Sequence, residues 1–335
     1  MNPYRPIFVV GCQRSGTTLL RVMLNKHSKI SIPEESHFVS NIVNNFKDVS
    51  YDYKLSLDDK NRLFDVILSV PRFLTWNIKQ EQLKSIIFSE DNTTIPDVIN
   101  SIFNFKTGNG DDVMWGDKTP EYTMCVDDIH KFFPSALFIH IVRDGRDVAD
   151  SFKMRKWYGW SIFQRAKHWM NYTQAAIDFG NKINKDQFIN IRYEDLVLET
   201  EKTLKKICDF LQISYEENML TYMDDVEKNI TDVEKESKVH KKLKRLPKKS
   251  DVYKWHGSWS KLSLFKFESV AYKNLNKFGY CVNYNHSSLF SNIFGYLLSV
   301  WGHVISLMYN IYHGLGVKID TNDKYKKKLK KVIYK

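Results

Sequence analysis

An anion-binding loop is the first feature of this 335-residue sequence that could do chemistry. Residues 11–18, Gly-Cys-Gln-Arg-Ser-Gly-Thr-Thr, follow a short apolar run and precede a segment with helical periodicity. The backbone N–H groups of such a turn, together with the N-terminus of the helix, can surround a phosphate group. Arg14 would add positive charge, and the hydroxyl groups of Thr17 and Thr18 could donate to the same phosphate. The loop therefore predicts a phosphorylated ligand; the alternative is an ordinary strand–helix turn.

The loop differs from that of P-loop kinases and NTPases at one position. Those proteins need a lysine where this chain has Thr17. They also need an acidic residue after a later strand to help hold magnesium, whereas the strand predicted at residues 136–142 is followed by Arg143. A metal-dependent kinase is therefore the less favoured alternative, and we expect cationic side chains to hold the phosphates.

A second set of polar residues follows that later strand. Arg143 lies at the end of the strand, and the helix predicted after it carries Ser151 and Arg155. A guanidinium group and a hydroxyl group two helical turns apart can hold a second phosphate from two sides. The alternative is that Arg143 forms a surface ion pair with Asp144 or Asp147.

Strands alternate with helices along the chain, which predicts one P-loop-like, three-layer α/β domain at residues 1–284. Its central sheet should be mostly parallel, with helices on both faces. The predicted strands cover residues 7–10, 30–32, 113–115, 136–142 and 188–191. Ligands of such sheets bind at the carboxyl ends of the strands. The loops after the first four strands lie at those ends, so we expect their side chains to come together.

The loops at residues 11–18 and 143–151 together resemble the donor-binding motifs of sulfotransferases that use 3′-phosphoadenosine 5′-phosphosulfate (PAPS). The resemblance covers residues 1–282. In that family the first loop holds the 5′-phosphosulfate, and an arginine and a serine hold the 3′-phosphate. A tyrosine near the adenine and a lysine after the loop that covers the donor also have counterparts here. The resemblance implies donor-binding roles for Arg14, Ser15, Gly16, Thr17, Thr18, Arg143, Ser151, Arg155, Tyr193 and Lys254.

Two more segments are similar to those of the tyrosylprotein sulfotransferases. Residues 33–37, Pro-Glu-Glu-Ser-His, resemble an acidic turn whose second glutamate is the catalytic base, which maps to Glu35. Lys118 matches a lysine that contacts the transferred sulfuryl group. His37 replaces a basic residue of those enzymes and is the second candidate for the base.

The resemblance implies in-line transfer of a sulfuryl group to a hydroxyl group, with Arg14 and Lys118 stabilising the developing charge. Glu35 suits proton removal if partial burial raises its pKa. Structural alternatives stay open, because Glu34 and Glu35 could stabilise the N-terminus of a helix predicted at residues 36–46, and Lys118 could face solvent. We expect no metal, since the mechanism needs none and no ligand cluster is visible.

Charge and composition limit the partners. The net charge of +11 favours anionic ligands, and a lysine-rich stretch at residues 241–249 could close over the donor or attract an acidic acceptor. The alternative for this stretch is a solvated loop. No aromatic residues are interleaved with these charges, so we do not expect specific nucleic-acid binding.

The C-terminal part of the sequence has a different character. Residues 278–317 contain no Lys, Arg, Asp or Glu and carry apolar residues at helical spacing, and a lysine-rich tail follows. This pattern predicts an amphipathic helical appendage at residues 285–335. Residues 289–335 could contact a membrane surface. The equal alternative is packing on the domain or on a second subunit of a homodimer.

The sequence thus predicts a PAPS-dependent sulfotransferase that acts on a hydroxyl group of a carbohydrate, a glycolipid or a peptide tyrosine. Scattered cysteines and the lack of a recognisable signal peptide indicate a cytoplasmic protein that could associate with membranes. The same features favour a carbohydrate or lipid-linked acceptor over a peptide. The alternative from another class is a non-catalytic nucleotide- or membrane-binding module of the same fold.

Overall fold

The computed structural model describes residues 5–108, 113–153, 161–225 and 243–284. Five strands of these residues form one sheet. They are β1 (Ile7–Val10), β2 (Ile30–Ser31), β3 (Met114–Asp117), β4 (Leu137–Val142) and β5 (Phe188–Arg192). Their order across the sheet is β2-β3-β1-β4-β5. Every pairing between neighbouring strands is parallel, so the carboxyl ends of all five lie at one edge of the sheet.

Helices cover both faces of this sheet. The α-helices of the described residues are α1 (Thr17–Leu24), α2 (Phe38–Asn45), α3 (Leu57–Leu68), α4 (Gln80–Ile87), α5 (Ile95–Thr107), α6 (Val126–Phe132), α7 (Gly145–Lys153), α8 (Ile162–Lys182), α9 (Tyr193–Leu198), α10 (Thr200–Leu211) and α11 (Lys261–Lys277). Short 3-10 helices occur at Phe73–Trp76, Pro120–Cys125, Lys185–Gln187, Glu217–Asp225 and Lys249–Asp251.

The core is divided between the two faces because successive strand residues point in opposite directions. Phe8 and Phe138 belong to one buried cluster, which helices α2 to α6 complete. Val9 and Ile139, their neighbours in β1 and β4, belong to a second cluster with α1 and α10. This arrangement confirms the predicted α/β class with a parallel sheet between two layers of helices.

Two helices were not predicted from the sequence. Helix α9 follows β5 without a loop, and α11, which packs on α8, lies just before the predicted appendage. The buried face of α11 contains Phe267 and Ala271, but it also contains Glu268 and Asn274. These polar residues interrupt the apolar periodicity that would have indicated a helix.

Parts of the sequence analysis concern residues outside the described ranges. One such part is the end of the helix predicted after Arg143, which contains Arg155. The others are residues 241–242 of the lysine-rich stretch and the whole appendage at 285–335. The domain boundary at residue 284 stays a prediction. Each α-helix named above is too short or too polar to span a lipid bilayer.

An aromatic cluster attaches α5 to the sheet, and its strength can be measured. Phe103→Ala should lower the free energy of unfolding by about 3–5 kcal/mol, because the buried ring stacks on Trp115 with centroids 4.1 Å apart. Phe105→Ala on the same helix is the matched control, since its side chain is 47% exposed. It should cost less than about 1 kcal/mol. Urea denaturation measures both, and equal losses would contradict this account of the core.

Candidate active site

The loop between β1 and α1 depends on two glycines. Gly16 precedes α1 with φ of 98°, and a Cβ at this position would overlap the ring of Tyr193. Gly11 has φ of 152°, and a Cβ there would overlap the carbonyl oxygen of Ile141 in β4. Only glycine lets the backbone approach its neighbours so closely. The loop is thereby held against β4 and α9, at the carboxyl edge of the sheet.

A cavity of about 1080 Å³ opens beside this loop. It lies between the loop, the start of α7, the start of α9 and the segment that precedes α11. The predicted donor-binding residues on its wall are Arg14, Gly16, Thr17, Thr18, Arg143, Ser151, Tyr193 and Lys254. Ser15 is fully buried behind the loop, and its hydroxyl has no hydrogen-bond partner among the described residues. Arg155 lies outside the described residues.

Two arginines from different loops meet at the cavity wall. Arg14 donates from Nε to the hydroxyl of Ser151 at 2.8 Å. Arg143 donates to Asp147 at 2.9 Å and lies over the ring of Tyr193 at 4.6 Å. Arg143 therefore forms an ion pair, as the alternative interpretation predicts, and its partner is Asp147. Arg143 also lines the cavity. Burial lowers the pKa of Arg143, but Asp147, Tyr193 and Glu194 together outweigh it, so the net pKa is raised and the group stays cationic.

Lys254 reaches the cavity from a segment that a buried network holds in place. The backbone N–H of Trp255 donates to Asp147 at 3.0 Å, and its indole N–H donates to Asp144 at 3.0 Å. Arg146 lies 3.7 Å above the indole ring. Its guanidinium group also pairs with Asp144 at 2.8 Å. Asp144 is thus a partner of Arg146 rather than of Arg143, and the network fixes the residue next to Lys254.

One residue of the lysine-rich stretch, Arg245, is paired with a carboxylate, although its side chain is 37% exposed. Asp251 accepts hydrogen bonds from Arg245 at 2.8 Å and from Lys254 at 3.0 Å. Burial alone would raise the pKa of Asp251, but the hydrogen bonds from these two cations bring it below its ordinary value. The carboxylate therefore holds two positive groups, of which Lys254 lines the cavity.

A second cluster adjoins the first loop and contains the proposed base. Lys118 is fully buried, and its Nζ donates to Glu35 Oε1 and, at 3.3 Å, to the hydroxyl of Thr18. The solvent-facing alternative for Lys118 is therefore wrong. Glu35 Oε2 accepts from Arg72 at 3.3 Å and lies 3.4 Å from His37 Nε2. Lys118 thus joins the carboxylate of Glu35 to the wall of the cavity.

The charge state of Glu35 differs from the sequence expectation. Burial raises the pKa of its carboxyl group, but Lys118, His37 and Arg72 together hold that pKa well below its ordinary value. The expectation of a raised pKa is therefore wrong for this arrangement. Burial lowers the pKa of His37, but the hydrogen bond with Glu35 and the charges of the nearby carboxylates together outweigh it and leave the pKa raised. A histidine that holds its proton more tightly is a weaker candidate for the base.

The helix-terminus alternative for the two glutamates is also wrong. Helix α2 begins at Phe38 with no acidic residue in its first turn. The carboxylate of Glu34 pairs with Lys106 at 3.0 Å, away from the helix N-terminus. Its backbone carbonyl accepts from the indole of Trp76 at 3.2 Å. Glu34 therefore anchors the turn, while Glu35 pairs with Lys118.

A buried hydrogen-bond network fixes Glu35 relative to Lys118. Asp117, the residue before Lys118, accepts from the hydroxyl of Ser36, the residue after Glu35. The hydroxyl groups of Ser36 and Tyr122 are 2.8 Å apart. The strand end at β3 and the turn after β2 are thereby joined next to the ion pair. Sequence reasoning missed this network and Arg72, because their partners are 37 to 86 residues apart.

Comparisons with known proteins identify the family of this chain. A family model described as "Sulfotransferase family" matches residues 6–217. The chain is 26% identical over 287 residues to "Protein-tyrosine sulfotransferase A" of Caenorhabditis elegans, covering 83% of this chain and 68% of that one. It is 25% identical over 227 residues to "Protein-tyrosine sulfotransferase" of Drosophila melanogaster, covering 66% of this chain and 41% of that one.

Two solved structures are similar in fold. One is the sulfotransferase domain from the Synechococcus PCC 7002 olefin synthase, with a TM-score of 0.56, 22% identity, and coverage of 84% of this chain and 98% of that one. The other is the sulfotransferase domain from the curacin biosynthetic pathway, with a TM-score of 0.56, 20% identity, and coverage of 83% and 99%. At these identities the likeness concerns the fold alone.

The close approach at Gly16 can be tested by substitution. Gly16→Ala should weaken binding of 3′-phosphoadenosine 5′-phosphate at least about tenfold, because the methyl group would overlap Tyr193 and displace the loop. Gly108→Ala is the matched control, since Gly108 also has positive φ but open space around its Cβ position. Calorimetric titration measures the affinity. Equal affinity in the two variants would contradict the role of this contact.

Proposed function

Because this chain belongs to the sulfotransferase family, we propose that it transfers a sulfuryl group from PAPS to a hydroxyl group of an acceptor. The observation that carries this proposal is the position of Lys118, which bonds both Thr18 on the cavity wall and Glu35. A cation that can stabilise the donor thus lies beside a carboxylate that can accept a proton. A protein that only bound the nucleotide would not need this cation and this carboxylate side by side.

The two phosphate groups of the proposed donor would occupy two separate binding sites in the cavity. The backbone N–H groups at the start of α1, the hydroxyls of Thr17 and Thr18, and Arg14 would hold the 5′-phosphosulfate. Arg143 and Ser151 would hold the 3′-phosphate. Contacts of both residues support this second site, since Ser151 bonds Arg14 at 2.8 Å and Arg143 donates to the carbonyl oxygen of Arg14 at 3.5 Å. The two phosphate sites are therefore neighbours.

The remaining donor residues surround the rest of the nucleotide. Tyr193 and Lys254 line the same cavity and would contact the adenosine and the rim of the site. Arg155 is proposed as a further contact. The fully buried Ser15 would act through the backbone of the loop, since its N–H donates to the carbonyl of Cys12 at 3.1 Å and shapes the turn.

The proposed transfer step forms one bond to sulfur and breaks another. The acceptor oxygen forms a bond with sulfur in line with the sulfur–oxygen bond to the 5′-phosphate, which breaks. Glu35 takes the proton of the acceptor hydroxyl and later releases it to solvent. Arg14 and Lys118 stabilise the negative charge that develops on the departing phosphate. The products are the sulfated acceptor and 3′-phosphoadenosine 5′-phosphate. The chemistry requires no metal.

The acceptor is proposed as a hydroxyl of a peptide tyrosine, a carbohydrate or a glycolipid. The names of the relatives favour a peptide tyrosine over the carbohydrate or lipid-linked acceptor that the sequence analysis favoured. Incubation with donor labelled in the sulfuryl group and a panel of one tyrosyl peptide, one oligosaccharide and one glycolipid would decide among them. A cytoplasmic location is also proposed, supported by the four free cysteines.

The donor can be identified by calorimetric titration. We expect 3′-phosphoadenosine 5′-phosphate to bind and ATP with magnesium to bind far more weakly, because Thr17 occupies the position of the kinase lysine. Arg143→Met should weaken binding of this ligand at least about tenfold, but leave binding of adenosine 5′-phosphosulfate, which has no 3′-phosphate, unchanged. Tight binding of ATP with magnesium alone would contradict the proposed function.

The base can be identified by exchanging neighbouring glutamates. The Glu35→Gln variant should still bind the nucleotide, but its rate of sulfuryl transfer should fall about 100-fold or more, as loss of a general base causes. Glu34→Gln is the matched control, because Glu34 pairs with Lys106 instead of Lys118. It should keep most of the turnover. Unchanged turnover in Glu35→Gln would reject this base, and loss in His37→Asn alone would assign the role to His37.

A further inference from the structure

The two oxygens of the Glu35 carboxylate have different partners. Oε1 accepts from Lys118, the cation that also contacts the cavity wall through Thr18. Oε2 accepts from Arg72 at 3.3 Å and lies 3.4 Å from His37. The side chains of Glu35 and Arg72 are only 20% and 25% exposed, so solvent screens their attraction weakly. The carboxylate is thus held by a separate cation on each oxygen.

Resting on the proposed function, we infer that Arg72 is a positioning residue for the base. It holds Oε2 and keeps the carboxylate of Glu35 ionised, while Oε1 takes the proton of the acceptor once the donor has drawn Lys118 away. The exchange moves hydrogen bonds only. Lys118 Nζ leaves Oε1 for an oxygen of the phosphosulfate, and no covalent bond changes until transfer begins.

Lys118 lies between Glu35 and the cavity wall, where it could exchange one partner for the other. An ammonium group has three N–H donors, and those of Lys118 reach Glu35 and the hydroxyl of Thr18 at 3.3 Å. Thr18 is on the cavity wall, where the 5′-phosphosulfate is proposed to bind. A carboxylate that is paired with lysine is a weak base, because the cation stabilises its charged form. Departure of Lys118 would therefore raise the pKa of Glu35 when the donor is bound.

Arg72 is expected to remain on Glu35 when the donor binds. It immediately precedes the 3-10 helix Phe73–Trp76, whose two aromatic end residues are buried against Phe38. The indole of Trp76 donates to the carbonyl oxygen of Glu34, the residue before the base. Neither Arg72 nor Lys118 is among the described residues that line the donor cavity, but Lys118 reaches the cavity wall through its hydrogen bond to Thr18. The same packing thus fixes Arg72 to the turn that carries Glu35, and the donor would not compete for it.

Kinetics as a function of pH test this role. Because Arg72 lowers the pKa of Glu35, Arg72→Met should move the acid limb of kcat to higher pH and lower kcat roughly 10- to 100-fold. The affinity for 3′-phosphoadenosine 5′-phosphate should stay within about twofold. Arg72→Lys should restore part of kcat. The assay uses whichever acceptor of the panel gives the highest turnover.

Lys106→Met is the matched control for these kinetics. Lys106 pairs with the adjacent Glu34 at 3.0 Å and is 21% exposed, close to the 25% of Arg72. It should leave the acid limb in place. An unchanged acid limb and kcat in Arg72→Met, or an equal shift in Lys106→Met, would overturn the inference while leaving sulfuryl transfer intact. Lack of both nucleotide binding and transfer in the unaltered chain would instead reject the proposed function.

A second measurement needs no acceptor. Calorimetric titration with 3′-phosphoadenosine 5′-phosphate at about pH 5, in two buffers of different ionisation enthalpy, gives the protons taken up on binding. Arg72→Met should take up more protons than the unaltered chain, because Glu35 then loses both cations. The difference should vanish when Glu35→Gln is added to both. Equal uptake by the chains with and without Arg72 would overturn the inference.

Discussion

The ammonium group of Lys118 has no exposed surface, so its charge has to be balanced by the groups around it. Glu35 supplies the opposite charge, and Thr18 accepts a further hydrogen bond at 3.3 Å. These contacts connect the turn after β2, the end of β3 and the first turn of α1. Loss of one partner from a buried ion pair is costly because a buried charge is left unbalanced, so Lys118 can leave Glu35 only for another anion. Much of the proposed chemistry follows from this position.

Other parts of the fold serve to hold that ion pair beside the cavity. The glycines of the first loop bring α1 close to β4 and α9. The hydrogen bonds among Ser36, Asp117 and Tyr122 join the two segments that carry Glu35 and Lys118. On the other side of the cavity, the contacts of Trp255 with Asp144 and Asp147 hold the segment of Lys254. The sheet order places these segments at one edge.

The local parts of this arrangement could be predicted from the sequence, and the long-range parts could not. The loop at residues 11–18 has a strand before it and a helix after it, so its position at the sheet edge followed from local pattern. The fold class followed from the alternation of strands and helices. Arg72 gave no signal, because it meets Glu35 across 37 residues of intervening chain. The direction of the pKa shift at Glu35 depends on that same contact and on Lys118, so burial alone predicted the wrong sign.

A crystal structure with 3′-phosphoadenosine 5′-phosphate in the cavity would test the account most directly. The distance to measure is that between Lys118 Nζ and Glu35 Oε1. The account predicts that this distance exceeds about 4 Å, the limit of an ion pair, with Nζ within about 3 Å of the 5′-phosphate and Arg72 still on Oε2. A nucleotide bound with its 5′-phosphate at the loop, while Lys118 remains on Oε1, would contradict the exchange.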